Sequence, residues 1–259
     1  MPAVTFTVVA AFLFVRSADD GRTSTGLLAA YLGAVLLTQL SIALHNNWCD
    51  READAVAKPW RWIPRGVLDA RLALASAAAL FVAGATLASL LGALVAQLVA
   101  AGTLCGFLYN ARLKRTIWSW APFAVALPTL AVCSLAVAHR LDSFPYGLYL
   151  IGAPLVLAIH LGDAIPDIDG DRKAGVRGLA VALGHRRALV ACWLGMLAAI
   201  LLAGGLRPFG IPPGPLVALS LALLGCAVLV SLRSLRAQWY FIVASAIAVA
   251  VDWVAALAS

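Results

Sequence analysis

The chain has 259 residues, of which 63% are hydrophobic and 12% charged, and its 19 Lys and Arg against 12 Asp and Glu give a formal net charge of +7. Soluble domains are typically about 45–50% apolar and about 25% charged, so this composition excludes a water-soluble globular fold and predicts an integral membrane protein. Nine apolar segments of about 20 residues would occupy most of the chain, which predicts a single all-α transmembrane domain over residues 1–259.

The predicted spans follow one another closely along the chain. Hydropathy places them at residues 2–15, 25–46, 70–92, 93–109, 118–138, 147–165, 188–205, 214–232 and 239–257. The first stretch lacks the basic start and the small-residue cleavage site of a signal peptide, so we expect it to be a span. The five cysteines form no CxxC pair and no Cys/His cluster, so we expect them to be small buried residues.

Basic residues are unevenly distributed among the connections between spans. Most of the 19 Lys and Arg lie in or beside the connections after spans 2, 4, 6 and 8, and the other four are Arg16, Arg22, Arg140 and Arg207. Because cationic loops stay on the cytoplasmic side, this asymmetry predicts that these four connections and the N-terminus lie in the cytoplasm and the C-terminus outside. We interpret the membrane as a prokaryotic plasma membrane.

The first of two acidic clusters follows span 2. Asn46, Asp50 and Asp54 occur at intervals of four residues. If the helix of span 2 continues through them, their side chains form one polar stripe.

The second acidic cluster, at the end of span 6, repeats this spacing with Asp163, Asp167 and Asp171. Pro166 and Gly170 argue against a regular helix there. Because an even number of spans separates the clusters, both emerge on the same face of the membrane and can meet.

Two facing groups of carboxylates require a compensating cation. Hard oxygen ligands without a His or Cys set favour Mg²⁺, which usually binds through a few carboxylates together with substrate phosphates. Basic residues on the same face are available for phosphate oxygens that the metal leaves unneutralised. They are Lys58, Arg61, Lys114, Arg115, Arg172, Lys173 and Arg177.

Three segments in order resemble the UbiA superfamily of intramembrane prenyltransferases, and the resemblance extends over nearly the whole chain. Asn46–Asp54, continued by Lys58–Gly66, is similar to the family's NxxxDxxxD motif with its basic tail. Tyr109–Arg115 is similar to the Tyr…Lys-Arg loop after the fourth helix, and Asp167–Arg177 resembles DxxxD followed by a Gly-Lys/Arg element.

The resemblance implies a bundle of nine transmembrane helices around a central chamber, with both motifs at its cytoplasmic end. It implies that the catalytic carboxylates, those of Asp50, Asp54, Asp167 and Asp171, bind a prenyl diphosphate through Mg²⁺. Asn46 would join the first metal group, and Asp163 adds a carboxylate one turn before the second. The residues implied to hold the diphosphate are Lys58, Arg61, Tyr109, Lys114, Arg115 and Arg177.

The implied reaction is transfer of the prenyl group to a lipophilic small-molecule acceptor within membrane lipid, and we expect no nucleic-acid partner. An electron-rich aromatic ring would attack through carbon. A glycerol-type hydroxyl or a carboxylate would attack through oxygen with the help of a base, for which His45, His160 and Asp163 are candidates.

Two other functions stay open at this point. A terpene cyclase on the same scaffold would capture the allylic cation with a double bond of its own chain. An ion-coupled transporter would place ionisable residues near the bilayer midplane, whereas here the acids lie at one membrane edge and only Asp252 lies deep in a late span.

Overall fold

The computed structural model describes residues 2–19, 21–141, 145–173, 175–206 and 214–258, and these residues form helices and connections without a β-strand. Arg207, one of the four basic residues assigned to the far face, lies outside the described residues. The α-helices are α1 (Pro2–Ala18), α2 (Thr25–Ala57), α3 (Ala70–Ser89), α4 (Ala93–Leu108), α5 (Ala121–Val137), α6 (Tyr146–Ala164), α7 (Ile168–Lys173), α8 (Leu179–Gly205), α9 (Pro215–Ser231) and α10 (Leu235–Ala258).

Every predicted span coincides with one of the nine long helices, and the largest differences lie at helix ends. Helix α2 continues about three turns beyond its predicted end, to Ala57, so the first acidic motif is helical. Helix α8 begins at Leu179, well before its predicted start, and bends at Gly184, whose φ of 72° is in the left-handed region.

Helix lengths support a multi-pass membrane protein. Among the described residues, six helices are long and apolar enough to cross a bilayer. The other three, α1, α5 and α9, have 17 residues each, which corresponds to about 25 Å of helix against a hydrocarbon core of about 30 Å.

Small residues allow the helices to pack closely, which matters in a bilayer because lipid tails are as apolar as the helices themselves. A Cβ atom at Gly195 of α8 would lie 2.9 Å from the backbone oxygen of Pro154, and one at Gly162 of α6 would lie 3.4 Å from the ring of Trp239. Substituting Gly195 would therefore separate α6 from α8. This packing fixes the end of α6, where the second acidic motif begins.

The expectation for the cysteines is right for only some of them. Cys133 and Cys192 are buried, Cys49 and Cys105 are half-buried, and Cys226 is exposed; all five are free thiols. An exposed cysteine on α9 is compatible with a membrane helix, because the outer surface of such a helix faces lipid rather than water.

Candidate active site

The first acidic motif lies on one face of the last turns of α2. The ammonium group of Lys114 donates to Asn46 Oδ1 at 3.0 Å and to Asp50 Oδ2. Two predicted metal ligands and one predicted diphosphate residue are thus in direct contact. Lys114 comes from the connection after α4, so this contact also joins two connections predicted to share a face.

A π-helical turn over Tyr109–Leu113 brings Lys114 to this position. It closes with the Lys114 N–H donating to the Tyr109 carbonyl at 2.9 Å. Asn110 is buried in the turn and its side-chain amide donates to the Ile42 carbonyl of α2 at 3.0 Å. Such turns are rare in proteins, and those that occur are often found at functional sites. No spacing of residues in the sequence predicts either this turn or the contact that Asn110 makes.

Asp54, the last residue of the first motif, is buried beside Arg61. Arg61 Nε lies 4.0 Å from Asp54 Oδ2, and its Nη1 donates to Asn47 Oδ1 at 3.1 Å. Lys58 ends α2 by donating its backbone N–H to the Asp54 carbonyl, which leaves its exposed ammonium group beyond the helix.

The second acidic motif is helical but not regular, as Pro166 predicts. A 3₁₀ turn spans Ile165–Asp167 and α7 follows it, so the chain tightens at the proline. Gly170, by contrast, lies within α7 and does not end the helix. Asp163 and Asp167 are exposed and Asp171 is half-buried.

Arg236 is a residue that the sequence reasoning missed. It lies in the first turn of α10, and its Nη2 donates to Asp167 Oδ1 at 3.0 Å. It is also in electrostatic range of the Asp163 carboxylate. In the sequence it counts only as one basic residue after span 8, because nothing in its neighbourhood predicts a contact 69 residues away.

The two acidic motifs face one another across this end of the bundle. Asp171 is in electrostatic range of the ammonium groups of Lys58 and Lys114. The Tyr109 hydroxyl is in range of Asp50, Asp171 and, from the end of α6, Asp163. Lys114 and Tyr109 therefore lie between the motifs, and the connections after α2, α4, α6 and α9 meet on one face.

Two of the predicted diphosphate residues, Arg115 and Arg177, make no side-chain hydrogen bond or ion pair with any described residue. Both are exposed. They lie in the connections that carry Lys114 and Asp171, but the structure does not bring them onto the carboxylates.

The oxygen donors fit Mg²⁺, although they do not form a complete metal cage. Within the described part of the chain, no group of three or more His, Cys, Asp or Glu side chains is close enough to hold one ion. Instead, the ammonium of Lys114 and the guanidinium of Arg236 neutralise Asp50 and Asp167. Mg²⁺ commonly binds through one or two carboxylates plus substrate phosphates, so a three-carboxylate cage is not required.

An aromatic wall leads from Tyr109 toward the interior. The rings of Tyr109 and Phe123 are 4.7 Å apart at 63°, and Phe123 is 6.2 Å from the imidazole of His160 on α6. The hydroxyl oxygen of Ser119, a buried residue, lies 2.8 Å from His160 Nε2.

Beneath this wall lies a narrow apolar cavity of about 60 Å³ between α1, α5, α6 and α10. Ile159 is the lining residue nearest the end of α6, and His160 follows it in the sequence. The cavity's other lining residues are Phe6, Ala10, Phe14, Leu127, Pro128, Ala131, Leu148, Ile151, Gly152, Leu155, Val156, Ala246, Ile247, Ala250 and Trp253.

Comparison with known proteins agrees with this architecture. The UbiA prenyltransferase family matches residues 3–257 of the chain. A digeranylgeranylglyceryl phosphate synthase of Halobacterium salinarum is 33% identical over 189 residues, which are 68% of this chain and 63% of that protein. The chain thus matches slightly less than two thirds of that relative's length.

Two further proteins extend the comparison. The bacteriochlorophyll synthase 33 kDa chain of Cereibacter sphaeroides is 33% identical over 229 residues, which are 83% of this chain and 74% of that protein. A UbiA homologue from Archaeoglobus fulgidus, solved with DMAPP and Mg²⁺, has the same fold with a TM-score of 0.73 and 16% identity, over 95% of this chain and 94% of that one. The chain belongs to the UbiA prenyltransferase family.

Proposed function

We propose that this chain is an Mg²⁺-dependent prenyltransferase, which moves the prenyl group of an isoprenyl diphosphate to a lipophilic acceptor, an aromatic ring or a hydroxyl, within the membrane. The observation that carries the proposal is the position of Lys114, which contacts Asn46 and Asp50 and is in electrostatic range of Asp171. A phosphate-binding cation between two carboxylate groups suits a diphosphate held by metal ions.

The proposed site takes its residues from both motifs. Mg²⁺ would supply positive charge against the diphosphate oxygens as the allylic C–O bond breaks. The oxygen ligands in this proposal are those of Asn46, Asp50, Asp54, Asp163, Asp167 and Asp171. The diphosphate would be held by Lys58, Arg61, Tyr109, Lys114, Arg115 and Arg177.

The remaining catalytic work falls to the chain's own side chains. Lys114 and Arg61 would donate to the diphosphate and stabilise the negative charge that accumulates on it as it leaves. The rings of Tyr109 and Phe123 would face the developing allylic cation, which aromatic faces attract. The apolar side chains around the cavity below would have to separate to admit the prenyl tail, because about 60 Å³ is far below the roughly 300–1,000 Å³ of a typical ligand pocket. Once they surround the tail, they would exclude water, which otherwise captures the cation as an alcohol.

We also propose that all nine long helices cross the membrane around a central chamber as one domain. The three 17-residue helices lie at the lower limit of spanning length. The distribution of basic residues favours placing the active-site connections and the N-terminus in the cytoplasm, in a prokaryotic plasma membrane.

The purified protein in detergent tests this function directly. Geranyl, farnesyl and geranylgeranyl diphosphates are supplied with and without Mg²⁺ and with candidate acceptors, pyrophosphate release is measured, and the organic product is identified by mass spectrometry. We expect Mg²⁺-dependent release and a product whose mass is the sum of prenyl group and acceptor. A cyclic hydrocarbon formed without acceptor would indicate a cyclase, and no release from any donor would contradict the proposal.

A matched pair of variants assigns the activity to the site. Asp50→Asn removes a charge that Lys114 contacts, and we expect it to abolish release. Glu52→Gln makes the same chemical change two residues away, at an exposed side chain that pairs with Arg51, and we expect near-normal release. Equal activity in both variants would remove Asp50 from the site.

A further inference from the structure

We propose that His160 is the general base of the reaction and that the acceptor's nucleophile is a hydroxyl group. This inference rests on the proposed prenyltransferase function and assigns its acceptor half. It is carried by the place of His160 on α6, one turn after Val156 of the cavity lining and one turn before Asp163, and by the contact that its imidazole makes with Ser119.

The position of His160 follows from its place on α6. It lies one helical turn after Val156, which lines the cavity, and one turn before Asp163. Its ring is 6.2 Å from Phe123, which packs against Tyr109 below the carboxylates. A diphosphate held above and a tail in the cavity below would place the bond that breaks at the level of this imidazole.

Ser119 fixes the orientation of the ring. Its hydroxyl is buried and lies 2.8 Å from His160 Nε2. The proposal requires the tautomer in which Nε2–H donates to the serine oxygen and the lone pair lies on Nδ1, with which no described residue forms a hydrogen bond. A half-buried imidazole with one nitrogen held and the other available has the geometry of a general base.

The other two candidate bases are less suitable. The imidazole of His45 packs 4.7 Å from the Phe107 ring, and both of its nitrogens have neighbours, the Asn110 amide at 3.4 Å and Cys49 Sγ at 3.6 Å. Asp163 is exposed among the charged groups of the second motif, in range of Asp167 and Arg236, where the diphosphate is expected.

The proposed step is balanced without a further reactant. The acceptor O–H bond breaks, its oxygen forms a bond to the allylic carbon, and its proton goes to His160 Nδ1. The C–O bond to the diphosphate breaks, and that electron pair leaves with the diphosphate. An ionised carboxylate acceptor has no proton to lose, whereas an alcohol must lose its proton as its oxygen attacks, so a base at this position suits an alcohol better than a carboxylate.

The experiment separates the two halves of the reaction in the full-length protein. Pyrophosphate release without acceptor measures donor ionisation, and transfer to two alcohol probes, geranylgeranylglyceryl phosphate and geranylgeranylglycerol, measures capture. His160→Phe keeps a ring beside Phe123 but removes the base. We expect transfer to fall about 100-fold or more while acceptor-free release stays within about threefold of the wild type.

Controls address folding and the contact with Ser119. Ser119→Ala frees the imidazole and is expected to lower transfer about tenfold without altering acceptor-free release. His160→Asn is compared with His139→Asn, which makes the same change at an exposed histidine. Asn tolerates the φ of 56° at position 139, so we expect transfer to be unchanged in that control.

Several results would overturn the inference. His160→Phe with transfer within threefold of the wild type would exclude a base, and equal loss of release and transfer would place His160 on the donor side. A wild-type protein that ionises the donor but prenylates neither alcohol would exclude the hydroxyl acceptor. Failure of the wild type to release pyrophosphate from any donor would instead contradict the proposed function itself.

Discussion

Lys114 and Asp50 form an ion pair between the α4–α5 connection and the last turns of α2, and the same ammonium group reaches Asn46 Oδ1 at 3.0 Å. The sequence assigns these residues opposite tasks, Lys114 to phosphate and Asp50 to a metal ion. Their contact has a simple physical reason, because a carboxylate near hydrocarbon is costly without a neighbouring cation. Substrate binding would then require Lys114 to exchange a carboxylate for phosphate oxygens.

Replacing Lys114 tests this exchange. Lys114→Ala removes a charge-assisted hydrogen bond worth about 1.5–3 kcal/mol, so we expect the KM for the prenyl diphosphate to rise about 10- to 100-fold. The KM for the acceptor should change little. Steady-state pyrophosphate release at varied donor and acceptor concentrations measures both constants.

Arg112→Ala is the matched control, since Arg112 is an exposed basic residue of the same π-helical turn. We expect it to leave the donor KM within about twofold of the wild type. A larger effect on the acceptor KM than on the donor KM in Lys114→Ala would move Lys114 to the acceptor side.

Arg236 is expected to compete with metal binding at Asp167. The two side chains are largely exposed, at 73% and 61%, so their ion pair contributes only about 0–1 kcal/mol. Arg236→Gln should therefore leave thermal stability unchanged but lower the half-saturating Mg²⁺ concentration by up to about fivefold. Activity measured across a Mg²⁺ titration gives this value.

Arg233→Gln provides the comparison, because Arg233 is an exposed arginine just before α10 that makes no side-chain ion pair with the described residues. It should leave the Mg²⁺ titration unchanged. A higher Mg²⁺ requirement or a raised donor KM in Arg236→Gln would instead indicate that Arg236 binds the diphosphate.

Removal of the metal should affect activity and not folding. EDTA is expected to abolish pyrophosphate release and excess Mg²⁺ to restore it. Because Lys114 and Arg236 already neutralise Asp50 and Asp167, the melting temperature in detergent should stay within about 2 °C when Mg²⁺ is chelated. Release that persists in EDTA would contradict the metal site, and a large fall in melting temperature would contradict neutralisation by the two cations.

Local spacing made much of this architecture predictable. Asn46, Asp50 and Asp54 recur every four residues, which matches the helical period, and the structure continues α2 through them. Apolar runs likewise indicate the spans, because a bilayer requires long apolar helices. These features depend on neighbouring residues along the chain, which the sequence displays directly.

Contacts between distant segments were not predictable in the same way. The contact between Arg236 and Asp167 depends on where α10 begins relative to the end of α6, and that between Ser119 and His160 depends on the path of the α4–α5 connection. The π-helical turn beginning at Tyr109 has no periodic pattern of its own. Such positions follow from tertiary packing, which hydropathy does not encode.

Gly106 of α4 is expected to control the position of Lys114. A Cβ atom there would lie 2.6 Å from Ile42 Cδ1 of α2, whereas one at Gly102, one turn earlier, meets nothing within 4 Å. Gly106→Ala should therefore push α4 away from α2 near the Asn110 contact. We expect this to lower the free energy of unfolding by about 1–3 kcal/mol and to raise the donor KM. Gly102→Ala should neither lower the free energy of unfolding nor raise the donor KM. Thermal denaturation and donor kinetics measure the effects, and equal behaviour of the two variants would show that Ile42 repacks freely.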